Sequence, residues 1–232
     1  MLEELKQSVY EANIRLAGSG LVTLTWGNAS GYNSEMGLVV IKPSGVDYDK
    51  LRPADMVVLN LKGEIVEGKL NPSSDTPTHL KIYSSFSEVG GIVHTHSEYA
   101  VAWAQAGRSI PAMGTTHADH FYGDVPCSRK LTIEEVQHNY EENTGKLIVE
   151  TVASADPMAM PAVLVNDHGP FTWGKTPSAA VDNAIALEAV ARMAFLTMQI
   201  AGNDKMDKWL LDKHFRRKHG SEAYYGQKRK KI

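Results

Sequence analysis

Three histidines in this sequence lie where metal ligands are expected. His94 and His96 stand two residues apart after the apolar run GGIV, and side chains at that spacing in a strand project from the same face. His168 follows the apolar run AVLVN and precedes Gly169 and Pro170, a turn that would leave its ring at a sheet edge. Because neutral imidazoles bind zinc and a catalytic site keeps a position open, these residues predict one Zn²⁺ per chain, with Mn²⁺ or Co²⁺ as possible replacements.

Each of these histidines could also be an ordinary structural residue, and the apolar context favours the metal. Ile92 and Val93 predict a buried strand, and two buried imidazoles without a partner would be costly. Asp75, in the segment PSSDTP, is either a fourth metal ligand or the cap of a helix that begins at Thr76. The sequence leaves both roles of Asp75 open.

Two turns have the composition of an anion site. Ser73 and Ser74 precede a predicted helix start, where hydroxyls, free N–H groups and the helix dipole favour negative charge. In the segment KPSGVD, Ser44 and Gly45 can present N–H groups close to Lys42. Either turn alone is weak evidence, but together with a metal site they predict a phosphorylated small-molecule substrate.

The segment GPFTWGKT, residues 169–176, matches the phosphate-binding loop of nucleotide-binding proteins in pattern only. Pro170 has no N–H to offer, and Phe171 and Trp173 are bulky where the backbone must approach a phosphate. A phosphate-binding loop requires helical geometry at Thr176, its last residue, and Pro177 disfavours that geometry. With no G-x-G-x-x-G stretch either, the sequence argues against ATP and nicotinamide cofactors.

Short apolar runs and helical repeats predict one α/β domain over residues 1–232. Because hairpin-spaced strands precede helices, we expect a three-layer α/β/α arrangement with a mostly antiparallel central sheet covered by helices. Residues 114–124 are predicted to be a loop. Strands are predicted at 21–26, 38–42, 56–61, 64–68, 90–97 and 162–166, and helices at 2–16, from 76, at 99–106, near 132–143 and at 177–200.

The composition is typical of a single soluble domain. The 232 residues are 43% hydrophobic and 22% charged, which is enough for one core. The net charge of −3, with basic clusters only at 213–218 and 228–231, argues against nucleic-acid binding. The apolar stretch 184–201 is interrupted by an acidic and a basic residue, which argues against a membrane span. The single cysteine, Cys127, and an acidic, amphipathic start predict the cytoplasm.

The chain also resembles a known family over nearly its whole length. The resemblance lies in TWGNAS, IKPSGVDY, PSSDTPTH, GIVHTHS, GTTHADHFYG, NDHGPFTWGK and LLDKHFRRKHGSEAYYG. These segments are similar to the class II aldolase family, and within it to the branch of the L-ribulose-5-phosphate 4-epimerases. The resemblance implies a metal-dependent enzyme that interconverts L-ribulose 5-phosphate and D-xylulose 5-phosphate. It also implies a homotetramer with active sites between subunits.

The resemblance further implies roles for individual residues. It places zinc on His94, His96 and His168, with Asp75 close to the ion. The aldolases of the family carry Glu near this position, so Asp75 favours the epimerase branch. The residues implied to bind the substrate phosphate are Gly27, Asn28, Lys42, Ser44, Gly45, Ser73 and Ser74.

Asp119 and Tyr225 match the acid/base pair of the family, and which of them serves which epimer is left open. Tyr225 is expected to come from the neighbouring subunit, with His214 assisting. Residues 203–232 are too polar to form a core alone. We therefore expect this C-terminal segment to dock on another subunit and complete its site.

The chemistry of the implied reaction agrees with the residues present. The hydrogen on C4 of L-ribulose 5-phosphate lies two bonds from the ketone and is not acidic, so deprotonation cannot invert this carbon. Oxidation would need a nicotinamide site. Cleavage of the C3–C4 bond, followed by re-addition to the other face of the aldehyde, needs only a Lewis acid and two proton-transferring groups.

Three other functions are compatible with parts of the sequence. One is a class II aldolase that releases the aldehyde from a related phosphorylated sugar. The second is a non-catalytic phosphosugar-binding module with a structural metal, and the third is an ATP-dependent enzyme using residues 169–176. For an epimerase, both arabinose and ascorbate breakdown use the reaction, and the sequence does not choose between them.

Overall fold

The computed structural model describes residues 1–202, 204–220 and 223–226, and within them one seven-stranded sheet forms the centre. The strands are β1 (Asn28–Asn33), β2 (Leu38–Ile41), β3 (Val57–Asn60), β4 (Ile65–Glu67), β5 (Gly91–His94), β6 (Ala162–Val165) and β7 (Gly169–Gly174). Their order across the sheet is β4-β3-β2-β1-β5-β7-β6, and every neighbouring pair is antiparallel. The predicted antiparallel character of the sheet is therefore confirmed.

Helices surround this sheet. In the described ranges they are α1 (Leu2–Gly18), α2 (Thr76–Ser85), α3 (Glu98–Gln105), α4 (Thr115–Ala118), α5 (Ile133–Gln137), α6 (Tyr140–Val152), α7 (Pro177–Ala201) and α8 (Lys208–Lys218). The alternation of side chains along β5 shows how they pack. Ile92 joins an apolar cluster with side chains of α2 and α6, whereas Val93 joins one with side chains of α1 and α7. Helical side chains thus cover both faces of the central strand, as the expected layers require.

The predicted strand at residues 21–26 is wrong. Leu24 has a φ of +56°, which an extended strand does not allow, and the strand begins only at Asn28. The true strand, NASGYN, has little strand propensity, and small residues are needed there because α1 lies directly above. A Cβ on Gly31 would stand 2.8 Å from a methyl of Val9.

Strand β7 was not predicted, because its sequence was interpreted as a turn. The turn is instead at residues 166–168, where the His168 N–H donates to the Val165 carbonyl at 3.0 Å. β7 then runs between β5 and β6 and pairs with both. Residues Gly169–Gly174 of the phosphate-loop-like segment therefore form a buried strand. Their backbone groups form hydrogen bonds with the neighbouring strands.

The polar helix predicted near 132–143 is two helices, α5 and α6, separated at Asn139, which has a φ of +55°. Within the predicted loop 114–124, the structure has the short helix α4. The tail also contains a helix, α8, which includes the basic cluster at 213–218.

Helix α7 is long and apolar enough to cross a membrane by length and a mean hydropathy of 1.4. It packs against the sheet instead, through residues such as Ala180, Val181 and Leu187. Glu188, the acidic residue in this apolar stretch, accepts hydrogen bonds from the backbone N–H groups of Tyr99 and Ala100 at the start of α3. The helix is therefore held against the sheet and α3 along one side.

Candidate active site

Every residue predicted to bind the metal or the phosphate lines one cavity of about 580 Å³. This volume lies within the range of about 300–1,000 Å³ that small-molecule sites have. The predicted residues that line it are Gly27, Asn28, Lys42, Ser44, Gly45, Ser73, Ser74, Asp75, His94, His96 and His168. Within the described chain, the predicted acid/base residues Asp119, His214 and Tyr225 do not line it.

The three histidines meet because β5 and β7 are neighbours. His94 ends β5, His96 follows it, and His168 lies in the turn that leads into β7. In the pairing of these strands, His94 lies opposite Phe171, so the turn before β7 reaches the end of β5. One ring nitrogen from each histidine lies within 4.8 Å of the other two.

Hydrogen bonding determines which nitrogen of His94 is free. Its Nδ1 lies 2.9 Å from the Pro170 carbonyl oxygen, which can only accept, so Nδ1 carries the proton. Its Nε2 therefore has a lone pair, and this atom lies 3.0 Å from Nε2 of His96. A proton or a cation must lie between two such nitrogens. With His168 as a third donor, the set fits a divalent metal better than a single shared proton.

The surroundings keep His96 and His168 in the neutral form that binds metal. Burial, together with His94 and His96, lowers the pKa of His168 to about 4. Burial and the neighbouring His94 also lower the pKa of His96. At neutral pH both rings therefore offer lone pairs.

Asp75 precedes α2, but its carboxylate does not cap that helix. It accepts a hydrogen bond of 2.7 Å from the Asn28 amide instead and lines the cavity. Burial opposes its ionisation, but His94, His79 and the Asn28 hydrogen bond outweigh burial and lower the pKa of Asp75. Asp75 is thus an ionised oxygen donor beside the histidines.

The two predicted anion-binding turns lie side by side because their backbones bond to each other. The Ser44 N–H donates to the Asn71 carbonyl at 2.9 Å, and the Ser73 N–H donates to the Lys42 carbonyl at 3.0 Å. The prediction that the Ser44 N–H is offered to a ligand is therefore wrong, because the protein itself uses this donor. Ser44, Ser74 and Asp75, the last of which immediately precedes α2, line the cavity at this end.

Lys42 lies buried beneath the first turn. Its Nζ donates to the Val46 carbonyl at 2.7 Å and stands 4.7 Å from the centre of the Tyr48 ring. Burial lowers the pKa of Lys42. The Tyr48 hydroxyl donates to the Gly27 carbonyl at 2.8 Å. Lys42 therefore places its amino group directly below the turn at Ser44 and Gly45. The hydrogen bond of Tyr48 connects this turn to the segment that contains Gly27.

Asp119 and His214 meet in a separate cluster, formed where α8 packs on α4. The Asp119 carboxylate accepts from His214 Nδ1 at 3.2 Å and from Arg217 at 3.0 and 2.6 Å, and Lys218 Nζ lies 3.3 Å away. Burial opposes ionisation, but Arg217, His214 and Lys218 outweigh it and lower the pKa of Asp119 to about 2. At neutral pH the carboxylate is ionised and can accept a proton.

Tyr225 lies against the same cluster. Its ring stands 4.5 Å from Lys218 Nζ and 5.3 Å from the Arg217 guanidinium, and the side chain is 63% exposed. The structure thus brings the predicted acid/base residues together in one chain, outside the cavity that holds that chain's own histidines.

Two aromatic residues of the cavity were not singled out from the sequence. The Tyr140 hydroxyl lies 3.3 Å from His168 Nδ1, and the Trp26 ring lies 6.1 Å from the His96 ring. No regular spacing connects residue 140 with residue 168, so only the fold reveals this pair. Trp26 was present in the segment TWGNAS, but its residue type alone indicated no chemistry.

Backbone strain is concentrated at this cavity. Among the described residues, the non-glycine positions with positive φ are Leu24 at 56°, Asn139 at 55° and Asp167 at 60°. Each immediately precedes a residue that lines the cavity: Thr25, Tyr140 and His168. Strained backbone at a functional site persists where the surroundings enforce it, and it fixes the direction of the next side chain.

Comparison with known proteins agrees with this fold and site. The model of the family described as Class II Aldolase and Adducin N-terminal domain matches residues 7–195, and the chain belongs to this family. The predicted family is therefore confirmed. Class II aldolases use a divalent metal, and the three-histidine cluster of this chain is suited to hold one. Members of the family bind phosphosugars and are often oligomeric.

Solved structures show the same fold at low sequence identity. An L-fuculose 1-phosphate aldolase is 24% identical, with 92% of this chain and 95% of that chain covered and a TM-score of 0.79. An L-fuculose 1-phosphate aldolase from Glaciozyma antarctica PI12 is 20% identical, with 95% and 84% covered and a TM-score of 0.78. At these identities the likeness establishes the fold, and the substrate has to be argued from the site.

Proposed function

We propose that this protein interconverts L-ribulose 5-phosphate and D-xylulose 5-phosphate by breaking and re-forming the C3–C4 bond, with one divalent metal ion, Zn²⁺ above all. The observation that carries the proposal is that three histidines, Asp75 and two serine-containing turns share one cavity. A phosphorylated ketopentose has oxygen donors for a metal at one end and a phosphate at the other. The cavity offers a suitable group to each end.

The phosphate end is supported by the paired turns. In this proposal Ser44, Gly45, Ser73 and Ser74 bind the phosphate, with Gly27, Asn28 and Lys42 adjoining. The backbone bonds between the turns make this end rigid. A fixed phosphate holds the aldehyde fragment in place while its reactive carbon turns.

The metal end is supported by the three imidazoles and by Asp75, whose carboxylate the Asn28 amide orients. These residues would hold a divalent cation, which would supply a Lewis acid for the ketone oxygen when the C3–C4 bond breaks. Asp75 stands where the aldolases of the family are expected to carry Glu, which supports the epimerase branch.

Asp119 and Tyr225 exchange the protons of the C4 hydroxyl on opposite sides of the substrate, with His214 and Arg217 positioning Asp119. This assignment is supported by the meeting of Asp119, His214 and Tyr225 in one cluster and not by basicity, because the cations that lower the pKa of Asp119 to about 2 make it a weak base. Because this cluster lies outside the cavity of its own chain, we propose that it serves the cavity of a neighbouring subunit. The protein would then be a homotetramer in which residues 203–232 dock on the neighbour.

Product analysis with defined metal content tests the proposed function. Metal-loaded protein given L-ribulose 5-phosphate should form D-xylulose 5-phosphate with little free dihydroxyacetone, and exhaustive chelation should abolish the reaction until metal is restored. Asp119→Asn should lose about 100-fold or more of the turnover while it keeps its metal. Asp182→Asn, at an exposed aspartate paired with Arg15, should behave like the wild type.

Two outcomes would contradict the epimerase assignment. Accumulation of dihydroxyacetone and glycolaldehyde phosphate would indicate an aldolase, the alternative with the same metal site. Substrate binding without any conversion, at a metal with four protein ligands, would indicate a phosphosugar-binding module.

A further inference from the structure

Trp26 places a large aromatic side chain at a cavity whose other lining residues are mostly polar ones. The side chain is 52% exposed, and its ring centre lies 6.1 Å from that of His96. The next residue, Gly27, has a φ of +95°, and a Cβ there would stand 2.8 Å from the His94 carbonyl oxygen. The backbone is therefore pressed against the end of β5, which fixes the point from which the indole extends.

The indole lines the cavity next to the metal cluster. Its ring lies beside that of His96, and Trp26 shares the cavity with the phosphate turns. The chain continues through Gly27 to Asn28, whose amide donates to the Ser73 hydroxyl at 3.1 Å and to the Asp75 carboxylate at 2.7 Å. A substrate held at the metal by its ketone end would therefore have its middle carbons within reach of Trp26.

The proposed reaction makes a special demand at these middle carbons. The C4 hydroxyl loses its proton to a base, C4 becomes an aldehyde carbon, and the electron pair of the C3–C4 bond stays with C3. If the fragments separate, C3 takes up one proton, and the products are dihydroxyacetone and glycolaldehyde phosphate. Epimerisation requires instead that both fragments stay while the aldehyde presents its other face to C3.

We propose that Trp26 is a specificity-determining residue that retains the aldehyde fragment between bond cleavage and re-addition. This inference rests on the proposed epimerase function. A rigid aromatic wall beside the metal end of the cavity excludes water and keeps the aldehyde close to C3 without holding either of its faces. The strained turn at Leu24, two residues earlier, keeps this wall in a fixed direction.

The test is the ratio of released fragments to D-xylulose 5-phosphate when metal-loaded protein acts on L-ribulose 5-phosphate. Trp26→Ala should raise this ratio about tenfold or more, because it removes the wall, and Trp26→Phe, with a smaller ring, should raise it less. Metal content should be unchanged in both variants. Ile133→Ala is the control, since Ile133 is also a large exposed apolar residue, 78% exposed, but lies outside the cavity, and it should leave the ratio unchanged.

The outcomes separate this inference from the proposed function. If the wild type epimerises and both Trp26 variants show its product ratio, the retention role is overturned and the epimerase assignment stands. If the wild type releases fragments quantitatively, both the retention role of Trp26 and the epimerase assignment are overturned. If Trp26→Ala does not fold or does not turn over, the ratio for Trp26→Phe decides: a raised ratio supports retention, and an unchanged ratio overturns it.

Discussion

Tyr140 lies 3.3 Å from Nδ1 of His168, and this contact bears on how His168 presents its other nitrogen. A hydrogen bond at one ring nitrogen orients the imidazole and selects the tautomer that leaves the other nitrogen free for a metal. The Pro170 carbonyl does the same for His94. At the scale of residues, the metal site therefore depends on groups that never touch the ion.

We expect Tyr140→Phe to weaken metal binding by about 10-fold, because partners of this kind typically contribute 10- to 100-fold in affinity. Competition with a chromogenic chelator measures the change. Tyr99→Phe, at a ring that packs near Phe195 outside the cavity, is the control and should bind metal like the wild type. Equal affinity in the two variants would show that Tyr140 does not position His168.

The lowered pKa of Asp119 predicts how pH changes the stability of the folded chain. Its folded pKa of about 2 lies below the ordinary value of 3.8, so the ionised carboxylate stabilises the fold above the ordinary value, and this contribution disappears as pH falls toward 2. The difference in free energy of unfolding between the wild type and Asp119→Asn should therefore shrink between about pH 4 and pH 2. Urea titrations at several pH values measure it. A difference that grows in this interval would refute the ion-pair interpretation.

The functional roles of residues whose side chains have one dominant chemistry could be predicted from the sequence. The residues that orient these side chains could not be predicted. His94 and His96 were recognisable from their spacing of two, although β5 ends at His94 and His96 lies just beyond the predicted strand face. Tyr140 was not, since its contact with His168 arises only when α6 and the β6–β7 turn come together. Lys42 lines the cavity together with the serine turns, but its buried bonds to carbonyl oxygens have no signature in the sequence.

At the scale of elements, the packing of α1 on β1 is set by a glycine. Gly31→Ala would place a Cβ within 2.9 Å of side-chain atoms of Val9, Leu5 and Pro177, so we expect a loss of stability of about 1–3 kcal/mol. Denaturant unfolding measures this loss. Gly18→Ala, where the added Cβ meets no atom within 4 Å, should be neutral or slightly stabilising at the end of α1. Equal effects of both changes would show that α1 adapts to the larger residue.

Elements with a clear hydrophobic period were predictable, and those built from small or polar residues were not. Strands β2 and β3 read as runs of valine and leucine, and the structure has them close to the predicted bounds. Strand β1 is rich in Asn, Ser and Gly because helices approach it closely, so its propensity points away from a strand. Strand β7 begins with glycine and proline, which normally indicate a turn.

At the scale of the whole molecule, the separation between the metal cavity and the Asp119 cluster leads to a test by subunit mixing. His94→Ala should lack the metal, and Tyr225→Phe should lack the proton-transferring hydroxyl, so each homogeneous protein should be inactive. Co-expressed, they should regain activity, because random mixing gives about a quarter of the sites an intact cavity from one chain and an intact tail from the other. Steady-state turnover of the purified mixture measures the recovery.

The control for this mixing experiment is a mixture in which both chains carry defects in the cavity, His94→Ala with His168→Ala. Each cavity then contains one damaged imidazole whatever its neighbour supplies, and activity should stay absent. If the first mixture also stays inactive while both proteins assemble, the tail acts within its own chain.

The positive φ angles at Leu24, Asn139 and Asp167 also bear on attempts to make this enzyme withstand heat. Glycine relieves such a conformation, and at a leucine the relief is about 1–2 kcal/mol. An engineer would therefore replace Leu24 first. Yet glycine also permits many other directions for the following residue, and here that residue belongs to the cavity. The substitution that would most simply raise heat resistance is thus at a position where a more flexible backbone would reduce turnover most.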